Sequence, residues 1–256
     1  MKPLTLYTAT ELEKPCALPY DRVVTALRDG EMVEELGLMR WGTNYTFLVQ
    51  IVHDDVTFLA IYKPRMGERP LWDFPDGTLC QRETAAWVMA DALGWGCVPP
   101  TILREGSRGI GSVQAFIDHD PQRHYFNFDP LHTEQLQFMA AFDVLVNNAD
   151  RKGGHCLLDP VDHIWGIDHG LAFNAVHKLR TVIWDFAGQP LNEAILCDLE
   201  ALCVKMDDVK SPLRKELSTL LLDQEQKSLQ NRLRRLLNAR TYPIPGPGPN
   251  RPWPAI

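Results

Sequence analysis

The spacing of apolar positions changes several times along this chain. From Tyr20, the residues Val23, Val24 and Leu27 recur at helical spacing, and "YDRVVTALRDGEMVEELGLMR" reads as a helix stopped near Gly30. From Asn44 the period drops to two. "YTFLVQIVHDDVTFLAIYKP" holds two runs of Val, Ile, Phe, Thr and Tyr split by "HDD", the pattern of a β-hairpin whose second strand ends at Pro64. A loop dense in Gly and Pro, "GERPLWDFPDGTL", leads to "CQRETAAWVMADALGW", a helix with Ala85, Val88, Met89 and Leu93 close to one face and Gly94 and Gly96 at its end. "VPPT" is extended, "GIGSVQAFI" is a further strand, and "HDPQRHYFNFDPLH" is a long loop.

"TEQLQFMAAFDVLVNNA" returns to helical spacing, with Thr133 as N-cap. Two short strands follow, in "HCLLD" and "HIWGIDHG", around a turn at Pro160–Asp162. Residues 190–240 are helical: Ser211 and Pro212 open one helix, and Asp223 with Gln226 is a capping pair for the next. The order helix, β-rich, helical predicts an α+β chain of two lobes, 1–117 and the mainly helical 118–240, followed by 241–256, with six prolines, as a flexible or extended tail.

Composition narrows the class. With 256 residues, 45% hydrophobic, the chain can bury a large core. A net charge of −7 argues against a phosphate-backbone binder, so no nucleic-acid partner is expected. The six cysteines form no C-x-x-C pair and read as reduced thiols. The N-terminus lacks the apolar core of a signal peptide, and no run of 18 apolar residues occurs; the expectation is a cytoplasmic protein without stable membrane insertion.

Candidate chemistry sits at the ends of the elements. Lys63 closes a β-branched, aromatic strand, and Glu83 lies near the start of the next helix. A strand lysine paired to a helix glutamate is how protein kinases hold nucleotide phosphates, although a lone strand lysine more often snorkels to solvent. Asp150 precedes Arg151 and the Gly153–Gly154 pair, and Asp168 follows 18 residues later before Gly170. One carboxylate can orient and deprotonate an attacking hydroxyl while the other holds a divalent cation; the bland alternative is a turn cap and an Asx turn.

The order Lys63, Glu83, Asp150, Asp168 carries a resemblance. "FLAIYKPRMGE", "RETAAWVMADALGWGCVPPT", "FMAAFDVLVNNADRKGGHCL" and "WGIDHGLAF" resemble four blocks of the phosphatidylinositol 3-/4-kinase-like superfamily, nearest to type II phosphatidylinositol 4-kinases, with HipA-type kinases more distant and a small bacterial branch the narrowest likeness. The resemblance covers roughly residues 40–175. It implies a bilobal atypical-kinase fold, with 1–117 as a nucleotide-binding N-lobe and 118–240 as a C-lobe carrying the catalytic and metal-binding loops, and with ATP and Mg²⁺ or Mn²⁺ as requirements. It implies Lys63 on the phosphates with Glu83 as its partner, and Gly42, Thr43 and Asn44 in a nucleotide-covering turn. Gln114, Ala115, Phe116 and Ile117 would border the adenine; Asp150 would be catalytic and Asp168 metal-binding, and Asp143 would bond loop backbone donors. His155 stands where the superfamily usually has an asparagine metal ligand, five residues after the catalytic aspartate. Imidazole favours softer ions than Mg²⁺, so His155 is either a ligand or a weakness of the second metal site.

Further on, Lys178 and Arg180 can meet an anionic acceptor, with Arg232, Arg234 and Arg235 a solvated face, His163 on a strand edge, and His169 facing solvent or orienting Asp168. The leading expectation is an ATP- and metal-dependent phosphotransferase acting on a hydroxyl of a protein, small molecule or lipid head group, with AMP transfer also open. A nucleotide-binding pseudokinase is the alternative. A metal-dependent hydrolase using Asp150, His155, Asp168 and His169 ranks last, because it leaves Lys63 and Glu83 unexplained.

Overall fold

A computed structural model describes residues 3–6, 16–39 and 44–256 of the chain. Strands β1 (Leu4–Leu6) and β2 (Cys16–Leu18) form an antiparallel pair ahead of helix α1 (Tyr20–Asp29). Five further strands form an antiparallel sheet: β3 (Glu31–Met39), β4 (Thr46–His53), β5 (Val56–Pro64), β6 (Thr101–Gly106) and β7 (Gly109–Ala115), in the order β3-β4-β5-β7-β6. Helix α2 (Leu79–Leu93) joins β5 to β6, and α3 (Thr133–Val146) follows the sheet. A small hairpin of β8 (Cys156–Leu158) and β9 (Ile164–Gly166) comes next, then α4 (Glu193–Asp207), α5 (Pro212–Leu220) and α6 (Asp223–Ala239). The architecture is α+β, an antiparallel sheet followed by a mainly helical part.

Alternation in β5 sets the position of Lys63. Val56, Phe58, Ala60 and Tyr62 point into the core, so Leu59, Ile61 and Lys63 share the opposite face. Strand β7 crosses tightly beside it: a Cβ at Gly111 would lie 2.5 Å from the Lys63 carbonyl oxygen and 2.6 Å from the Tyr62 ring, so only glycine fits. Helix α2 is buried over successive residues from Arg82 to Ala90, because it is packed between the sheet and α4 and α5. Its first turn is capped from a distance, with Leu79 and Cys80 donating their N–H groups to the Glu68 carboxylate at 3.0 and 2.8 Å.

Several expectations are corrected. The helix from Tyr20 does stop beside Gly30, at Asp29, but "EMVEELGLM" after it is strand β3, despite its helix-forming Glu and Leu; pairing with β4 across two bulges overrides propensity. "TILREG" is a strand that the Pro99–Pro100 dipeptide concealed. The 119–132 loop contains two 3₁₀ turns, Tyr125–Asn127 and Pro130–His132. Thr133 is the first helical residue and not the cap, its hydroxyl donating to the Pro130 carbonyl at 2.5 Å. At α6 the cap is made by Glu225, whose carboxylate accepts from the Leu222 N–H at 2.9 Å, rather than by Asp223 and Gln226.

The proline-rich tail docks instead of hanging free. Tyr242 and Pro252 are buried, the Asn250 carbonyl accepts from Thr181 N–H and Trp184 Nε1 at 3.1 and 3.0 Å, and the Ala255 carbonyl accepts from Gly153 N–H at 2.7 Å. The cysteines whose side chains are described, Cys80, Cys97, Cys156, Cys197 and Cys203, are free thiols. No helix among the described residues is long and apolar enough to cross a membrane.

Candidate active site

Lys63 is the centre of the polar cluster. Its Nζ lies 2.5 Å from Glu83 Oε1 and 3.0 Å from Asp168 Oδ1, joining residues from β5, α2 and the segment after β9. Burial works against the ammonium, but the charges of Asp168 and Glu83 more than offset it, and the Lys63 pKa lies above the ordinary lysine value. The Lys63 charge in turn holds the Asp168 carboxyl well below its usual range. Glu83, 3% exposed, also accepts the His169 N–H at 2.8 Å through Oε2, so one carboxylate ties α2 to both the lysine and the 168–170 turn.

That turn is backbone-strained. Asp168 has φ +60°, and the buried Phe173 has φ +63°, a left-handed conformation rarely adopted by a bulky residue. Such geometry costs on the order of 1–3 kcal/mol and persists only where surroundings over-determine it. Here they do: Phe173 N–H donates to Val146 O at 2.6 Å, and the buried Arg82 donates to Ala172 O at 2.6 Å while pairing with Glu225 of α6.

Asp150 and His155 come from the loop after α3. Asn147, with φ +55°, ends the helix, and its side-chain NH₂ donates to the Asn174 and Val176 carbonyls. Arg151, fully buried, points away from the cluster. It donates to Asp143 at 3.0–3.2 Å, to the carbonyls of His155 and Ile167, and to His169 Nε2 at 2.6 Å. Asp143 also accepts from Asn148 Nδ2 and Thr181 Oγ1, so it binds side-chain donors rather than the backbone donors expected of it. Asn147, Asn148 and Arg151 are spent on this frame, and Asp150 and His155 are left half-buried beside Asp168.

Asp150 pairs with Lys152 Nζ at 3.2 Å, and burial, opposed by Lys152, raises its pKa above the ordinary carboxyl value. Burial lowers the His155 pKa to about 4, so its imidazole is neutral. Its Nδ1 lies 2.9 Å from the Asp150 carbonyl oxygen and its Nε2 3.4 Å from Asp168 Oδ2. One donor atom each from Asp150, His155 and Asp168 lies within 4.8 Å of the others. Two carboxylates and a neutral imidazole are a donor set that fits a divalent cation.

Lys63, Glu83, Asp150, His155 and Asp168 therefore converge. Gly42 and Thr43 lie outside the described residues; Asn44 Oδ1 accepts from Arg69 N–H at 2.8 Å. Gln114 is buried with its side chain on Thr101, and the amides of Ala115 and Phe116 bond the Pro100 and Leu59 carbonyls. Ile117 pairs with Leu6 of β1. Lys178 is turned to Asp73, 2.8 Å away, and its ammonium lies over the Trp72 ring. Arg180 is half-buried and its backbone is stitched to Asn148 and Arg151. His169 is buried against Arg151 and not solvent-facing; His163 bonds the Gly96 carbonyl at 2.9 Å. Arg232 departs from the solvated face expected of it by donating to Leu145 O at 2.8 Å. Sequence reasoning missed Lys152, whose signal was a lysine two places beyond Asp150, and Arg82, which nothing local distinguishes.

Comparisons with known proteins bear on the family and the fold. Protein Rv2133c of Mycobacterium tuberculosis is 37% identical over 267 residues, covering 90% of this chain and 94% of the relative. Phosphatidylinositol 4-kinase gamma 4 of Oryza sativa subsp. japonica is 32% identical over 122 residues, covering 40% of this chain and 22% of that protein. The chain belongs to the family of the mycobacterial protein, and 40% of it is similar to the rice phosphatidylinositol 4-kinase. Its fold is that of an atypical kinase: the crystal structure of the Helicobacter pylori proinflammatory kinase CtkA matches with a TM-score of 0.51 at 14% identity, over 84% of this chain and 94% of that one. No family model matches the chain.

Proposed function

We propose that the chain is an ATP-dependent phosphotransferase that acts on a hydroxyl acceptor. One observation supports this most: Lys63 holds two carboxylates from separate segments, Glu83 and Asp168, beside Asp150 and His155. A structural ion pair needs one partner; here one acid holds the lysine while the other lies in a group that could take a divalent cation, and a cation there would offset the acids and leave the ammonium to phosphate oxygens. The same contact speaks against the hydrolase alternative, which gives Lys63 no task.

In this reading the sheet up to Ile117 and the helical part after it are the two lobes, with Gln114–Ile117 beside the adenine. Lys63 orients the phosphates and Glu83 holds Lys63 in place. His155 and Asp168 would hold a divalent cation, with Asp150 next to them; such an ion supplies neutralisation of phosphate charge. Asp150 positions the acceptor hydroxyl and takes its proton, a task suited to a carboxyl of raised pKa. Lys152, paired to Asp150, keeps that carboxylate oriented. Arg180 remains available to an anionic acceptor, whereas Lys178 is engaged by Asp73.

The test is to follow thermal stability of the chain with ATP, ADP and AMP in the presence of Mg²⁺ or Mn²⁺, and to separate ADP from AMP as products. A nucleotide- and metal-dependent rise in Tm with ADP release, both lost in Asp168→Ala, is the expected result. AMP release in place of ADP would replace phosphoryl with nucleotidyl transfer. Stabilisation without turnover would reduce the chain to a nucleotide-binding pseudokinase, and no stabilisation by any adenine nucleotide would sink the reading.

A further inference from the structure

His155 is held as imidazoles are held when one ring nitrogen serves as a ligand. Its Nδ1 lies 2.9 Å from the carbonyl oxygen of Asp150, and a carbonyl only accepts, so Nδ1 carries the proton. The Lys152 amide reaches the same nitrogen at 3.5 Å, the outer limit of a hydrogen bond, and does not compete. In the tautomer that this bond favours, Nε2 carries the lone pair; it faces Asp168 Oδ2 at 3.4 Å, with the Asp150 carboxylate beside the two. Two donors each about 2.1 Å from one ion, and adjacent in its coordination shell, stand about 3.0–3.4 Å apart. The other oxygen of Asp168 is occupied by Lys63, which leaves Oδ2 to the shared ion.

We propose that His155 Nε2 and Asp168 Oδ2, with the Asp150 carboxylate beside them, form a cation site whose imidazole selects a first-row transition dication such as Mn²⁺ over Mg²⁺. The inference deepens the phosphotransferase reading and rests on it for the purpose of the site. Mg²⁺ takes oxygen donors and gives up water reluctantly, so one nitrogen among the ligands costs it more than it costs Mn²⁺. An asparagine at position 155 would present an amide oxygen instead. The hydrogen bond from Nδ1 to the loop's own backbone fixes the ring without any help from metal, so the site is pre-oriented for nitrogen ligation.

The experiment uses the full chain treated with chelator. Mn²⁺ is titrated in and followed by the EPR signal of the free ion, with Mg²⁺ as competitor, with and without a non-hydrolysable ATP analogue. Bound Mn²⁺ is then examined by electron spin-echo spectroscopy for the nitrogen modulation of a coordinated imidazole. The expected result is imidazole modulation in the wild type and Mn²⁺ held at least about tenfold more tightly than Mg²⁺, with both features lost in His155→Asn and Mg²⁺ binding kept. Absence of Mn²⁺ binding, bound Mn²⁺ without imidazole modulation, or an unchanged Mn²⁺/Mg²⁺ ratio in His155→Asn would each overturn the inference. The spin-echo measurement is made on the wild type, so a variant that fails to fold does not remove the test. Imidazole-bound Mn²⁺ with no effect of the ATP analogue would keep the metal site and overturn the phosphotransferase reading. Stabilisation by the analogue with Mg²⁺, without nitrogen ligation, would do the reverse.

Discussion

The backbone N–H of Gly153 donates to the carbonyl of Ala255 across 2.7 Å, so the proline-rich tail is bonded to the loop that carries Asp150 and His155. The tail also supplies the Asn250 carbonyl to Thr181 N–H, and the Thr181 hydroxyl bonds Asp143. A chain truncated after Pro249 loses the Asn250 and Ala255 acceptors. At about 1 kcal/mol per hydrogen bond it is expected to lose roughly 2–3 kcal/mol, read by urea denaturation. Hydrogen exchange at Gly153 and Thr181 is expected to quicken while α6 is unaffected. Equal protection with and without the tail would show that the docking adds nothing to the loop.

Asp143 and Arg151 are both fully buried, and Arg151 is the common partner of His155 O, Ile167 O and His169. Asp143→Asn leaves the guanidinium charge buried without its counter-ion, which costs about 3–5 kcal/mol. The stability loss should be accompanied by weaker Mn²⁺ binding, because the loop bearing Asp150 and His155 loses its frame. A destabilisation under about 1 kcal/mol would mean that the carbonyl acceptors alone satisfy Arg151.

What could be read in advance, and what could not, follows from the range of the interactions. The β4–β5 hairpin was legible because Phe47, Val49 and Ile51 alternate with partly exposed neighbours, and alternation is a local property. Lys63, Glu83, Asp150 and Asp168 stood out as candidates because each lies in or near the terminal part of a periodic element, and the structure brings the four side chains together. Strand β3 was not, since its Glu and Leu residues favour helix and only the β4 partner makes it extended. The Arg82–Glu225 pair joins positions 143 residues apart, and nothing near either residue announces the other. The tail was misjudged for a related reason. Proline content forbids a helix, but it leaves carbonyls free to accept, and whether they find donors depends on a surface that the sequence does not display.

Lys63 and Glu83 are not equivalent sites of damage. Lys63→Met leaves the buried Glu83 carboxylate without its cation and is expected to cost about 3–5 kcal/mol, lessened where Glu83 takes up a proton. Glu83→Gln keeps an acceptor for His169 N–H, and Lys63 keeps Asp168, so about 1–2 kcal/mol is expected. Both variants should lower phosphoryl transfer, Lys63→Met by about 10²–10³ as for removal of one pre-organised charge. Urea denaturation and ADP release check the two orders. Equal stability losses would contradict the asymmetric geometry.

His155 makes the stability of the metal-free chain sensitive to pH in a defined window. Its folded pKa is lowered by burial from 6.5 to about 4, so between those values the unfolded chain binds the proton and the folded chain does not. The contribution is fully present above pH 6.5 and is lost as pH falls towards 4. At about 1.4 kcal/mol per unit it amounts to at most about 3 kcal/mol. Asp168, whose pKa is lowered by Lys63, acts in the same sense at lower pH, and Asp150, whose pKa is raised by burial, acts in the opposite sense. The His155 share is therefore taken as the difference between wild type and His155→Gln, measured by urea denaturation at steps between pH 7 and pH 4. The wild type should lose more stability than the variant over that range. Saturating Mn²⁺ should steepen the wild-type dependence, because protons and the cation compete for Nε2, and should leave the variant nearly flat. Parallel curves for the two proteins would mean that His155 ionises in the folded chain as it does in water.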